Sequence, residues 1–124
     1  MVEENPDEKK RDVIGLTEQV TAYGPSGDKK KRIRARVDTG AHSNSVDSKL
    51  AAELSLGPVV KTTIVKSANG EALRPVVEMY ITLGGKKIKG LFTIADRSEL
   101  KYRVLIGRDI LSKSGFLIDP KMKG

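Results

Sequence analysis

One tripeptide of this chain, Asp38-Thr39-Gly40, combines residue types that can perform acid–base chemistry. It follows an alternating stretch from Ile33 to Val37 and precedes Ala41. A carboxylate at the end of a strand, followed by a small hydroxyl residue and a glycine, can lie at the floor of a cleft. Peptide hydrolysis by aspartates requires two carboxylates that share one proton. Because Asp-Thr-Gly occurs once, a catalytic interpretation requires the second Asp to come from another copy of the chain.

A simpler interpretation of Asp38 remains open. Aspartates in turns commonly accept a hydrogen bond from their own backbone two residues further on. The residues around the tripeptide must therefore decide between a turn residue and a reacting carboxylate.

Length and composition predict a single domain with an aliphatic core. The chain has 124 residues, lacks Trp and is only 4% aromatic, so Val, Ile and Leu must build the core. The absence of Cys excludes disulfides, thiol nucleophiles and Cys-based zinc sites. We predict a disordered N-terminal tail over residues 1–11, the domain over residues 12–120 and a C-terminal tail over residues 121–124.

The beginning of the chain has no apolar leader, since residues 1–12 are polar with mixed charges. No apolar run approaches the length of a membrane span. We therefore expect a cytoplasmic protein with no membrane partner.

The net charge is +7, and the densest basic run is Lys29–Arg32, which continues through Arg34 and Arg36. Such a run can attract nucleic acid or an acidic polypeptide. It can equally be the solvated outer face of a strand, which the alternation favours. The chain has no zinc knuckle or aromatic platform motif, so we do not expect a nucleic acid partner.

Short apolar segments separated by turn signals predict a mainly β fold. Asn69-Gly70 is a strong hairpin signal, and Gly84-Gly85 predicts a second tight turn. A short helix is predicted over 48–54, capped by Asp47 or Ser48, and another over 109–113. Strands are predicted within 12–23, 32–38, 59–68, 73–83, 86–95, 104–106 and 116–118. This pattern predicts a small, mainly antiparallel β barrel or sandwich with one or two short helices.

Two motifs resemble those of the retropepsins, the homodimeric aspartic proteases: Val37–Ala41, and Val104–Leu111 with its Ile-Gly-Arg core. Segments such as Arg74–Glu78 and Ala95–Ser98 resemble the prokaryotic retropepsin-like group labelled ATP-dependent zinc proteases. The resemblance covers about Ile14 to Pro120. It implies a closed antiparallel barrel of the acid protease type.

The resemblance also implies roles for the Asp-Thr-Gly residues. Asp38 would be the catalytic carboxylate that, with its copy in the partner chain, activates a water. Thr39 would brace the two active-site loops across the dimer through its hydroxyl. Gly40 would let the backbone closely approach its neighbour and the substrate.

Other residues receive supporting or binding roles from the same resemblance. Leu105, Ile106 and Gly107 would pack behind the active-site loop, and Arg108 would anchor the short helix and that loop. Ala41, His42, Asn69 and Gly70 would bind substrate, the last two at the tip of a flap over the cleft. The alternatives are an ordinary hairpin at Asn69-Gly70 and a mere helix-start residue at Asp109.

The chain departs from the family pattern after Ala41. The run His42-Ser43-Asn44 replaces the Arg-Thr-Ser that is usual in the prokaryotic group, and Arg103 stands where that group often has Pro. His42 is the only histidine, and the chain has neither a His-Glu-x-x-His helix nor a phosphate-binding Gly-x-x-x-x-Gly-Lys loop. We therefore expect no metal and no cofactor, despite the label of the group.

The resemblance makes an aspartic endopeptidase that acts as a homodimer the leading hypothesis. Relatives of the prokaryotic group are associated with ligases that add glutamates to proteins, so the peptide or protein substrate is expected to be acidic, and the positive net charge suits it. The alternative is a non-catalytic binding module on the same fold that recruits an acidic polypeptide or nucleic acid.

Overall fold

The computed structural model describes residues 12–68 and 70–122. The predicted tail over 1–11, Asn69 and the last two residues of the predicted C-terminal tail lie outside these ranges. Two helices are described, α1 (Ser48–Glu53) and α2 (Arg108–Ser114). The strands are β1 (Val13–Ile14), β2 (Thr17–Tyr23), β3 (Lys30–Val37), β4 (Asn44–Asp47), β5 (Lys61–Ser67), β6 (Gly70–Leu83), β7 (Lys86–Ala95), β8 (Val104–Ile106) and β9 (Leu117–Ile118).

Six strands form a closed barrel in the order β2-β3-β8-β4-β7-β6, which β6 closes by pairing with β2. The pairs β3–β8 and β4–β7 are parallel, and the other pairs of the barrel are antiparallel. The prediction of a mainly β closed barrel with short helices is confirmed. A separate parallel pair, β1–β9, brings the two ends of the described chain together.

Alternation along the strands builds an aliphatic core. In β3, Ala35 and Val37 are buried while Arg34 and Arg36 next to them are exposed, as the pattern predicted. Phe92 is the largest fully buried side chain among the described residues. The other fully buried apolar side chains are aliphatic, including Ile14, Val20, Val46, Leu50, Val77, Met79, Ile81, Leu83, Val104, Ile106 and Ile110.

Strand β6 forms part of both the β5–β6 hairpin and the barrel. Its residues 70–75 pair only with β5, from Ser67↔Gly70 to Thr62↔Pro75, and residues 70–73 are exposed. Its second half pairs with β7 and alternates between buried and exposed residues. The β5–β6 hairpin therefore projects from the barrel wall. The predicted turn at Gly84-Gly85 joins β6 to β7, and both glycines have positive φ, 56° and 79°.

Strand β4 was not predicted. It has four residues, three of them polar, and shows no alternation long enough to detect. It forms because β7 pairs with it on one side and β8 on the other, and both partners are distant in sequence. Such non-local pairing leaves no local signal.

Each helix begins and ends within one residue of its predicted range, 48–54 for α1 and 109–113 for α2. Asp47 caps α1 by accepting hydrogen bonds from the backbone N–H groups of Lys49 and Leu50. Gly115, at φ 70°, ends α2 in the left-handed conformation. Neither helix of the described ranges has the length and apolar character needed to cross a bilayer.

Candidate active site

Asp38 lies immediately after β3, and its backbone is fixed to the neighbouring strand. Its N–H donates to the carbonyl of Ile106 at 2.9 Å. Its carboxylate accepts a hydrogen bond of 2.9 Å from the N–H of Gly40, and its carbonyl accepts one of 3.2 Å from Ala41. An ordinary turn aspartate makes the same contact with its own backbone. This contact therefore does not distinguish a turn residue from a reacting carboxylate, and the surrounding residues must be compared.

The loop that follows Asp-Thr-Gly is fastened to the start of α2 by backbone contacts. The N–H of Arg108 donates to the carbonyl of Ala41 at 2.9 Å, and that of Asp109 to the carbonyl of His42 at 3.3 Å. A side chain at Gly107 would collide with the carbonyl of Ser43, so the close approach requires glycine. Residues 107–109 thus hold loop 41–43 in place.

The predicted supporting residues lie behind this loop. Ile106 and Gly107 are buried and Leu105 is half-buried. Arg108 contacts the loop through its backbone N–H, while its side chain is exposed and faces a cavity that it shares with His42. Arg108 thus joins the start of α2 to this loop through its backbone.

Asn44 is the side chain that joins these segments, and sequence analysis did not assign it a role. It is completely buried. Its amide donates to the carbonyl of Leu91 at 2.9 Å and to the carboxylate of Asp109 at 2.8 Å, and its oxygen accepts from the N–H of Gly107 at 2.8 Å. The sequence marked Asn44 only as a departure from the family pattern. That departure did not predict which groups its side chain would bond.

Asp109 is more than the helix-start residue that the simpler interpretation predicted. Its carboxylate accepts from the N–H of Leu91 at 3.1 Å and from Asn44, and pairs with Lys113 at 3.2 Å. Burial raises the pKa of Asp109, but these hydrogen bonds and the charge of Lys113 outweigh burial and hold the pKa below its ordinary value. The carboxylate therefore stays ionised as the centre of this junction.

Two adjoining cavities, of about 550 and 540 Å³, form a cleft between loop 41–43 and the β5–β6 hairpin. They share His42, Ser43, Thr63 and Thr93. Ala41 also lines the first cavity, so the structure brings two of the predicted substrate-binding residues into the cleft. Asp38, Thr39 and Gly40 are not among the lining residues; Thr39 and Gly40 are exposed beside it.

The hairpin reaches the cleft through residues other than its predicted tip. Gly70 begins β6 at φ 112° and is exposed, and neither cavity includes it in its lining. Thr63, Ile64, Val65 and Lys66 of β5 face the first cavity instead. Asn69, the other predicted tip residue, lies outside the described residues.

Two arginines also line the cleft. Arg74 and Arg97 face the first cavity, and the backbone N–H of Arg97 donates to Asp47 at 2.8 Å. Asp47 also pairs with Arg103 at 3.3 Å, which gives a role to the residue that replaces the usual proline. Burial raises the pKa of Asp47, but hydrogen bonds from the N–H groups of Arg97 and Leu50 and from Arg103 lower it below its ordinary value.

No group of three or more His, Asp or Glu side chains within residues 12–68 and 70–122 is arranged to hold a metal ion.

Comparisons with known proteins agree with this fold. A family model described as RimB-like, retropepsin-like aspartic endopeptidase RimB, matches residues 46–123 and so begins after Asp38. A Legionella pneumophila protein of unknown function is 22% identical, with a TM-score of 0.64 over 92% of this chain and 97% of that one. EIAV protease in complex with the inhibitor HBY-793 is 21% identical, with a TM-score of 0.62 over 93% and 96%. Simian foamy virus protease is 18% identical, with a TM-score of 0.52 over 77% and 92%.

A curated relative from Shewanella pealeana, named probable alpha-L-glutamate ligase, is 30% identical over 113 residues. The match covers 71% of this chain but only 24% of that protein, so the chain spans about a quarter of the relative's length. The viral structures support the fold, and the family model covers more than half of the chain. The chain belongs to the RimB-like family of retropepsin-like aspartic endopeptidases.

Proposed function

We propose that this protein is an aspartic endopeptidase that hydrolyses peptide bonds as a homodimer, with one Asp38 from each copy. The observation that supports it best is the position of Asp38. Its carboxylate is oriented by the N–H of Gly40 at the end of β3, directly before the loop that lines a peptide-sized cleft. The retropepsin-like fold and the family membership agree with this chemistry.

The mechanism follows from pairing two identical carboxylates. Two adjacent Asp38 carboxylates cannot both ionise at low cost, so the pair retains one proton. The ionised member takes a proton from a water, whose oxygen adds to the scissile carbonyl carbon, while the protonated member donates to the carbonyl oxygen. Collapse of this tetrahedral intermediate breaks the C–N bond, and the leaving amine takes up a proton.

The exposure of Thr39 and Gly40 supports the requirement for a second copy. In the single chain these residues lie at the surface beside the cleft rather than inside it. A partner loop that packs on them would bury the Asp38 carboxylate and exclude bulk solvent, apart from the reacting water. In this proposal the Thr39 hydroxyl braces the two loops, as the family resemblance implies.

We further propose that the substrate is an acidic peptide or protein. The cleft carries Lys61, Lys66 and Arg74 from the hairpin and Arg97 from the segment after β7. The net charge of +7 attracts an anionic chain over a longer range. The glutamate ligase name of the curated relative points to the same class of substrate.

Replacement of Asp38 by Asn tests the proposal. The purified Asp38→Asn variant should lose cleavage of an oligoglutamate peptide and of a mixed peptide library, by at least about a thousandfold, because an amide cannot act as the base. Asp28→Asn, in the exposed turn between β2 and β3, is the matched control and should cleave at the wild-type rate. Equal cleavage by wild type and Asp38→Asn would refute the assignment.

Sedimentation tests the homodimer independently. Active protein should sediment as a dimer, and specific activity should fall on dilution as the dimer dissociates. A strictly monomeric protein that still cleaves peptides would contradict the shared site.

A binding module on the same fold is the second candidate function. The observation that favours it is the family match, which leaves out Asp38-Thr39-Gly40. This candidate predicts a monomer that cleaves nothing but binds acidic peptides, with an affinity that falls as salt rises.

A further inference from the structure

Arg74 contains a buried polar atom without a partner. It lies on β6, opposite Thr63 of β5 and directly before Pro75, and it is half-buried. Across the described ranges, its Nε is the one buried side-chain nitrogen or oxygen that makes no hydrogen bond. A buried N–H without an acceptor is destabilising. Such a group calls for an explanation, and one explanation is a functional role in which a bound molecule supplies the acceptor.

Two further guanidinium groups, those of Arg36 and Arg74, lie close to Arg97. Burial lowers the pKa of Arg97, and the positive charges of Arg36 and Arg74 lower it further, while Asp47 and Asp38 raise it. The net result is a pKa below the ordinary value, with burial as the largest cause and repulsion from Arg36 and Arg74 adding to it. An anion placed between them would relieve the repulsion.

The contacts of Arg97 fix its orientation. Its Nε donates to the carbonyl of Tyr102 at 2.9 Å, and its backbone N–H donates to Asp47. Asp96 also lines this cavity, but its carboxylate oxygen Oδ1 already accepts hydrogen bonds from the backbone and the hydroxyl of Ser98, at 3.0 and 2.6 Å. Asp96 is exposed and forms no ion pair with Arg74 or Arg97 within the described residues.

We propose that Arg74 and Arg97 form a subsite that binds the carboxylate of an acidic side chain of the substrate peptide. Both line the cavity of about 550 Å³ together with Ala41 and His42, which follow Asp38 in the chain. The subsite rests on the proposed function, since it requires a peptide in this cleft. It goes further by naming the two residues that determine specificity.

The planar guanidinium explains why this subsite distinguishes Glu from Gln. Its N–H groups form parallel, charge-assisted hydrogen bonds with a carboxylate. A neutral amide offers one acceptor and leaves the repulsion between Arg36, Arg74 and Arg97 in place. A site built to bond a charged group rejects an analogue that lacks the charge, because its own buried donors stay unpaired.

Binding to the inactive Asp38→Asn protein tests the subsite without turnover. Titration calorimetry with an oligoglutamate peptide and an oligoglutamine peptide of equal length should show at least about tenfold tighter binding of oligoglutamate. Adding Arg74→Met should weaken oligoglutamate binding by about tenfold or more and leave oligoglutamine binding almost unchanged. Arg97→Met should behave in the same way.

Arg32→Met is the matched control, because it removes the same charge from the exposed face of β3. It should weaken oligoglutamate binding less than about threefold at physiological salt. Arg74→Lys keeps the charge but not the planar fork of the guanidinium. The affinity of this variant for oligoglutamate should therefore lie between that of the parent Asp38→Asn protein and that of the Arg74→Met variant.

Equal affinity for the two peptides, no binding of either, or equal losses in Arg32→Met and Arg74→Met would overturn the subsite. Circular dichroism shows whether Arg74→Met folds. If it does not, the affinities of Arg74→Lys and Arg97→Met for oligoglutamate test the subsite instead. Cleavage assays judge the proposed function separately. Tighter binding of oligoglutamate than of oligoglutamine, without cleavage by the wild type, would support the subsite and refute the peptidase. Cleavage by the wild type with equal binding of the two peptides would support the peptidase and refute the subsite.

Discussion

The side-chain amide of Asn44 donates a hydrogen bond of 2.8 Å to the carboxylate of Asp109, 65 residues away in the sequence. This bond joins the loop after Asp-Thr-Gly to the start of α2. Both groups are also bonded to the backbone of Leu91 in β7, so three segments meet at one buried point. The loop that carries Ala41 and His42 is therefore held by a fully bonded polar junction.

Asn44→Ala should destabilise the fold strongly. It removes three hydrogen bonds and leaves the N–H of Gly107 and the carbonyl of Leu91 buried without partners. We expect the free energy of unfolding to fall by about 2–4 kcal/mol, measured by urea denaturation.

The control for this prediction is Gln19→Ala, because Gln19 is an exposed amide side chain on β2. It should change the free energy of unfolding by less than about 0.5 kcal/mol. A loss in Asn44→Ala no larger than that of the control would show that the junction does not hold the loop.

Asp47 should make stability depend on acid pH. Its pKa in the folded protein is lowered, so the carboxylate stabilises the fold above its unfolded pKa of about 3.9. This contribution is lost as the pH falls below that value towards the folded pKa. Asp47→Asn should therefore lower the free energy of unfolding by about 1–3 kcal/mol at neutral pH, and the difference from wild type should narrow below about pH 4.

Urea denaturation across this pH range checks the prediction, with Asp28→Asn as the control in an exposed turn. The control should follow the wild-type curve. A difference between Asp47→Asn and wild type that stays constant down to about pH 3 would exclude Asp47 as the titrating group.

The exposed apolar residues of the hairpin should matter for cleavage more than for stability. Ile64 and Leu73 are cross-strand partners that are 57% and 72% exposed, and Ile64 lines the cleft. If the hairpin closes over a bound peptide, both side chains gain contacts only in the complex. Changing both to Ser should lower kcat/KM by about tenfold while the Tm shifts by no more than a few degrees.

Val59→Ser provides the comparison, because Val59 is 52% exposed and precedes β5. It should alter neither kcat/KM nor the Tm. A double Ser variant that cleaves at the wild-type rate would contradict the role of the hairpin as a flap.

Much of the fold was predictable because local physics determines it. The alternation of Ile33, Ala35 and Val37 predicted β3, and the Gly84-Gly85 turn predicted the β6–β7 connection. Strand β4 was missed, since its pairing with β7 and β8 arises only when distant segments meet. The parallel pairs β3–β8 and β4–β7 were missed for the same reason.

In the candidate site, too, some contacts could be expected from the sequence and others could not. The resemblance implied that Leu105, Ile106 and Gly107 would pack behind the active-site loop, and in the structure the backbone of Arg108 and Asp109 contacts Ala41 and His42. The side chain that joins them was not predictable from an isolated Asn44, because its role depends on three partners between 47 and 65 residues away.

By itself, the sequence determined the single Asp-Thr-Gly and therefore the requirement for a second copy in any aspartate mechanism. It also determined the hairpins and the basic charge, which depend on residue type and near neighbours. Only the tertiary structure placed Arg74 and Arg97 in one cavity of the cleft, with Arg36 close to Arg97. Contacts between distant segments form only when the barrel closes, and closure depends on the whole set of apolar faces rather than on any one segment.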